Sequence, residues 1–112
     1  MTESVSVRLL GERDAALAQV AALSREYDAL VAASEASNAD DEHDPEGATI
    51  GFERAQLAAT IDLTRQRVAD LERALELLAA GGYGRCESCG GDIGAERLAA
   101  RPSARTCISC AR

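Results

Sequence analysis

The chain has 112 residues, a formal net charge of −7 and a sequence pI near 4.6. One domain of this length buries a small core, and the acidic balance argues against general binding to DNA or to an anionic membrane surface. Hydrophobic residues make up 46%, mostly Ala and Leu, with no Trp, one Phe and two Tyr, a composition that favours long helices over a mixed α/β core.

Met1-Thr2-Glu3-Ser4 lacks the basic start and apolar run of a signal peptide, and no segment approaches the roughly 18–20 apolar residues that span a bilayer. The cytoplasm is therefore the expected location, which sets the cysteines in a reducing compartment.

From about Val5 to Ala33 the apolar residues fall at helical spacing. Leu9, Ala16, Val20, Leu23, Tyr27 and Leu30 follow the three- and four-residue steps of a coiled-coil seam, with Arg13 the one interruption. Gly11 weakens this helix by roughly 1 kcal/mol relative to alanine. A second run, from about Ala48 to Ala80, repeats the pattern through Ile50, Leu57, Ile61, Thr64, Val68, Leu71, Leu75 and Leu78, interrupted at Arg54. Gly81-Gly82 ends it, as glycine past a helix C-terminus commonly does. At 1.5 Å per residue each helix extends about 45–50 Å.

Between the runs, residues 38–47 carry five of the nineteen carboxylates, together with Pro45 and Gly47. Those two residues read as helix breakers, so the stretch reads as a polar turn and the fold as an antiparallel helical hairpin. The seams pair Tyr27 with Leu57, Leu23 with Ile61, Val20 with Thr64, Ala16 with Val68 and Leu9 with Leu75, all centred on residue 42. The expected organisation is a mostly α chain. Residues 1–81 form a coiled-coil hairpin with an acidic tip at 38–47, and residues 82–112 form a small four-cysteine module.

That module contains Cys86-Glu87-Ser88-Cys89 and Cys107-Ile108-Ser109-Cys110, a spacing typical of structural zinc sites. Two thiolates two residues apart grip one ion from a tight turn, and two such turns complete a tetrahedron. Glycine after Cys89 permits the positive-φ turn that aims backbone N–H groups at sulfur. Spacing alone leaves an iron site or a redox pair open, while the reducing compartment disfavours disulfides. With sulfur at all four positions a zinc ion is structural, and it supplies the folding energy of a segment with almost no core. Ile93 and Leu98 are its expected packing residues. Its five arginines and three acids are too weakly basic for a nucleic-acid patch, and no aromatics are interleaved for stacking. They are expected to face a protein partner or the hairpin's carboxylates.

From Tyr83 to Cys110 the chain resembles the DksA/TraR-type zinc-finger family. Beyond the cysteines the resemblance includes Tyr83, Gly84, Glu87, Gly90, Ile93, Arg97, Leu98, Ala100, Pro102 and Ala104. A helical hairpin with an acidic turn ahead of the finger fits the same family. The resemblance implies a bacterial transcription regulator that binds RNA polymerase through its secondary channel and modulates initiation without sequence-specific DNA binding. It implies one structural Zn2+ on Cys86, Cys89, Cys107 and Cys110. The family tip pattern, Asp-x-x-Asp-x-Ala, falls on Asp41 and Asp44, with Glu46 in place of alanine. These are the residues that would approach the polymerase active centre. Some members respond jointly with ppGpp, which makes it a candidate ligand. A monomer with no membrane partner is expected. Alternative readings are a transcript-cleavage-type polymerase factor and a zinc-ribbon adaptor for protein or RNA. An enzyme acting alone is not expected, since a hairpin offers no pocket and no nucleophile with its base.

Overall fold

The structure, a computed structural model, describes residues 2–38 and 45–111, with side chains for 5–36 and 49–111. Two long packed helices, α1 (Thr2–Asn38) and α2 (Pro45–Ala80), precede a short helix, α3 (Ala95–Ala100). The mostly helical hairpin expected from the two seams is the observed fold.

Both long helices run further than the apolar pattern alone suggested. α1 starts at Thr2 and continues past Ala33 to Asn38, through Ser34-Glu35-Ala36-Ser37. None of these residues bars helical geometry, and propensity differences among them are only about 0.5 kcal/mol. α2 starts at Pro45 rather than Ala48. Pro45 begins the helix instead of breaking it, because the first helical position needs no N–H donor and proline's fixed φ suits it. Gly47 lies within the first turn. The expected non-helical stretch is thereby corrected at both ends, and residues 39–44, including Asp41 and Asp44, lie outside the described residues.

The described chain divides into two compact units. One comprises residues 1–16 and 66–112, the other 17–65. In the first, Leu9, Ala16, Val68, Leu71 and Ala74 form the buried core, with Val5, Leu75, Leu78 and Tyr83 packed against it. The expected pairs Ala16/Val68 and Leu9/Leu75 thus fall in one cluster. Glu12 on α1 accepts a 2.9 Å ion-pair contact from Arg67 on α2. In the second unit Ile61 and Thr64 are buried, while Val20, Leu23, Tyr27, Leu30 and Leu57 are half-buried. The Thr64 hydroxyl donates to the Thr60 carbonyl at 2.7 Å, so a polar seam position is satisfied within its own helix. The guanidinium of Arg54 lies 5.9 Å from the Tyr27 ring centroid.

α2 ends at the glycine pair. Gly81 takes φ 84°, Gly82 N–H donates to the Leu77 carbonyl at 2.8 Å, and Gly81 N–H donates to Leu78 at 3.3 Å. This is the paired bonding of a Schellman cap, which satisfies carbonyls that a helix end leaves open. It also turns the chain directly into the cysteine module.

Candidate metal centre

Each cysteine pair is shaped by its backbone. Cys86 N–H donates to the Gly91 carbonyl at 2.7 Å and Ile93 N–H to the Gly84 carbonyl at 2.8 Å, so residues 84–93 form a tight antiparallel turn. Gly90, at φ 76°, closes it by donating to the Cys86 carbonyl at 2.9 Å. The next amide, Gly91 N–H, points at Cys89 Sγ from 3.4 Å, as the glycines after Cys89 suggested. The second pair sits on a turn in which Cys110 and Ala111 N–H groups both donate to the Cys107 carbonyl. A 2.9 Å bond from Glu87 N–H to the Arg105 carbonyl ties the two turns together.

The result brings Cys86, Cys89, Cys107 and Cys110 together, their sulfurs all within 4.8 Å of one another. Cys89 Sγ and Cys107 Sγ are 3.9 Å apart. A tetrahedron with Zn–S bonds of about 2.3 Å sets sulfurs about 3.8 Å apart. A disulfide needs about 2.05 Å, and all four cysteines are free. Cys86 is buried, Cys89 exposed and the other two half-buried.

The thiols also perturb each other. Cys86 is brought down to about 6, chiefly by backbone hydrogen bonding at Cys107 and Cys89. Cys110 is pushed up to about 12, chiefly by its hydrogen bond with Cys107 and then with Cys86. One thiolate is welcomed and a further one is opposed, as expected where sulfurs converge without a countercharge. A divalent cation supplies that charge, and a four-sulfur tetrahedral set suits one structural zinc ion with no position left for substrate or water.

Polar contacts fasten this centre to the base of the two long helices. Glu87, inside the first cysteine pair, accepts from Arg105 and, at 2.6 Å, from Arg73 on α2. Arg105 also reaches Asp70 of α2 at 3.4 Å. Hydrogen bonds from Arg105 and then Arg73 hold the Glu87 carboxyl below the usual carboxylate range. On the other helix, Arg8 donates to the Ala99 carbonyl of α3 at 2.6 Å, and Glu12 holds its Nε at 3.0 Å. Tyr83 packs on the helical core and donates its hydroxyl to the Pro102 carbonyl at 2.8 Å. Arg97 donates to the Thr106 carbonyl at 2.7 Å. Ile93 is buried and Leu98 half-buried, as expected of packing residues. Of the module's arginines, Arg105 meets a hairpin carboxylate, whereas the Arg85 and Arg101 side chains have no ion-pair partner among the described residues.

Sequence reading found the four cysteines but not the roles of Glu87, Arg73, Arg8 or Glu12. Arg8 and Glu12 stand four apart on one helix, a visible pairing signal. Nothing in the linear order connects them to Ala99 or Arg67. Among the proposed tip residues, Asp41 and Asp44 lie outside the described residues. Glu46 falls in the first turn of α2, its side chain outside the description.

Residues 81–112 match the prokaryotic dksA/traR C4-type zinc finger. Over 49 residues the chain is 43% identical to proteins of Escherichia coli K12 and Salmonella typhimurium named RNA polymerase-binding transcription factor DksA. The Haemophilus influenzae protein of that name is 41% identical over the same length. These matches take in 44% of this chain and 32% of the E. coli relative, so the chain spans about a third of the curated relatives it matches. The structure of transcription factor DksA2 from Pseudomonas aeruginosa superposes with a TM-score of 0.77 at 25% identity, covering 96% of this chain and 78% of that one. Residues 81–112 thus form a finger of the dksA/traR C4 type, and the fold that carries it is similar to that of DksA2.

Proposed function

We propose that the chain is a bacterial transcription regulator that binds RNA polymerase through the secondary channel and modulates initiation without reading DNA sequence. In this reading residues 1–81 act as the arm and 82–112 as the finger that secures it. Cys86, Cys89, Cys107 and Cys110 hold one structural zinc. The observation that carries the reading is the pairing of this finger with two long packed helices, over nearly the whole length aligned to DksA2. Relatives that share the finger are named for polymerase binding.

Chemically, the arm delivers carboxylates. Asp41 and Asp44, with Glu46 beside them, are oxygen donors suited to the magnesium of a polymerase active centre and to the basic groups that surround it. The chain itself catalyses nothing. It acts by stabilising one arrangement of the polymerase over another, and ppGpp is a candidate co-effector. A monomer of net charge −7 also suits a polymerase channel better than a DNA surface.

The test combines binding and transcription. Asp41→Asn with Asp44→Asn is expected to abolish the effect on initiation in a purified system while leaving affinity for core polymerase within about twofold. Full activity of this double variant overturns the role of the acidic turn. Failure of the unmodified protein to bind core polymerase overturns the reading as a whole.

A further inference from the structure

Which residues face one another along α1 and α2 determines which residues form the turn between them. The apolar seam does not fix this alone. Its residues recur every seven positions, so sliding one helix by a heptad sets Val20 against Leu57 or Leu71, and Ala16 against Ile61 or Leu75. Every one of those pairings remains apolar. A chain held by the seam alone would populate several registers.

Two polar contacts remove the degeneracy, one in each unit. In residues 17–65 the Arg54 guanidinium, on the seam of α2, sits over Tyr27 of α1 at 5.9 Å. In the other unit Glu12 shares its carboxylate between Arg67 of α2 at 2.9 Å and Arg8 of its own helix at 3.0 Å. Arg8 in turn reaches the Ala99 carbonyl of α3 at 2.6 Å. Both cross-helix pairs centre close to residue 40. A heptad slip would set Arg54 against Val20 or Ser34 and Arg67 against Val5 or Gln19. It would also carry Arg8 away from Ala99. Ring, carboxylate and carbonyl partners are lost together.

We propose that Arg54 and Glu12 are positioning residues that specify the register of the hairpin, and with it the residues that form its turn. A charged residue on an apolar seam gives up stability in exchange for a single pairing, the best-attested use of such groups in helical assemblies. The inference deepens the reading of the acidic turn and rests on that reading only for its consequence in transcription. Arg54 and Glu12 act through the turn.

The test reads register directly. Tyr27 and Tyr83 are the only tyrosines, so the Tyr27 ring is readily assigned in a proton NOE spectrum of the full zinc-loaded chain. The unmodified protein should give one set of cross-peaks, from Tyr27 to Arg54, Ala58 and Ile61. The triple variant Arg8→Ala, Glu12→Ala, Arg54→Ala should add a second set, to Ile50 or to Thr64 and Val68. Restoring arginine at position 54 alone should return most of the signal to the first set. A single wild-type set in the triple variant overturns the proposal. If the triple variant loses its helical circular dichroism, the single Arg54→Leu variant decides by the same criterion, since leucine completes the seam and favours folding. Doubled cross-peaks with an unchanged transcriptional response uphold the register assignment and count against the acidic turn instead.

Discussion

Glu87 stands between Cys86 and Cys89 yet turns its carboxylate away from the metal centre, towards Arg105 and Arg73. With its side chain 27% exposed, the cluster contributes about 1 kcal/mol rather than the several expected of a buried network. Its carboxyl is held below the ordinary value, so the folded state binds the proton less readily than the unfolded chain. The stabilisation is therefore fully present above the ordinary carboxylate range and lost as pH falls through the depressed folded value. Glu87→Gln should lower stability by about 1 kcal/mol at pH 7, and the gap from the unmodified protein should close on acidification below about pH 4. Chemical denaturation of both proteins across pH checks this, because metal loss on acidification is common to the two. The chemical role of the cysteines was legible at this scale from spacing alone. That of Glu87 was not, because its partners stand 14 and 18 residues away.

The two long helices show how apolar periodicity and local exceptions combine. Every seam position expected from the three-four pattern is buried or half-buried, including Thr64. The helix ends were less legible, since Pro45 breaks or starts a helix according to which side the helix lies. Two substitutions in α1 follow from its exceptions. Around Gly11 no atom lies within 4 Å of the place an alanine Cβ would take, so Gly11→Ala should stabilise the fold by up to about 1 kcal/mol. Arg13 keeps its Nε buried without a hydrogen-bond partner, so Arg13→Leu should stabilise by about 1–2 kcal/mol through relief of that penalty. Thermal unfolding of each variant measures the gain, and a loss of stability in Arg13→Leu would show that its Asp14 contact at 3.3 Å matters more. At the far end of α2, Gly81→Ala should destabilise by about 1 kcal/mol, because alanine is strained at φ 84°.

For the molecule as a whole, metal and helices stabilise different parts. The finger contributes few buried side chains, Cys86, Ile93 and Pro102, whereas the two long helices carry their own apolar seam. Chelation of zinc should therefore abolish amide protection across residues 84–111 while leaving residues 17–65 protected, measurable by hydrogen exchange. Protection of the finger after complete metal removal would mean that the polar contacts to α1 and α2 hold it unaided. No described helix is long and apolar enough to cross a membrane.

The sequence by itself determined the helical hairpin, the four-cysteine module and the family that both resemble. Each rests on short-range information: a seven-residue apolar repeat, two C-x-x-C turns, and glycines where the backbone must reverse. Tertiary structure alone decided how the module is fastened to the helices, through Arg8 to Ala99, Glu87 to Arg73 and Arg105 to Asp70, and how α1 meets α2 through Glu12 and Arg67. Those contacts join residues far apart in the chain by long flexible side chains, and no periodicity announces them. The same holds for register. An apolar stripe specifies that two helices pair, but its repeat leaves the offset open until charged groups such as Arg54 and Glu12 meet particular partners.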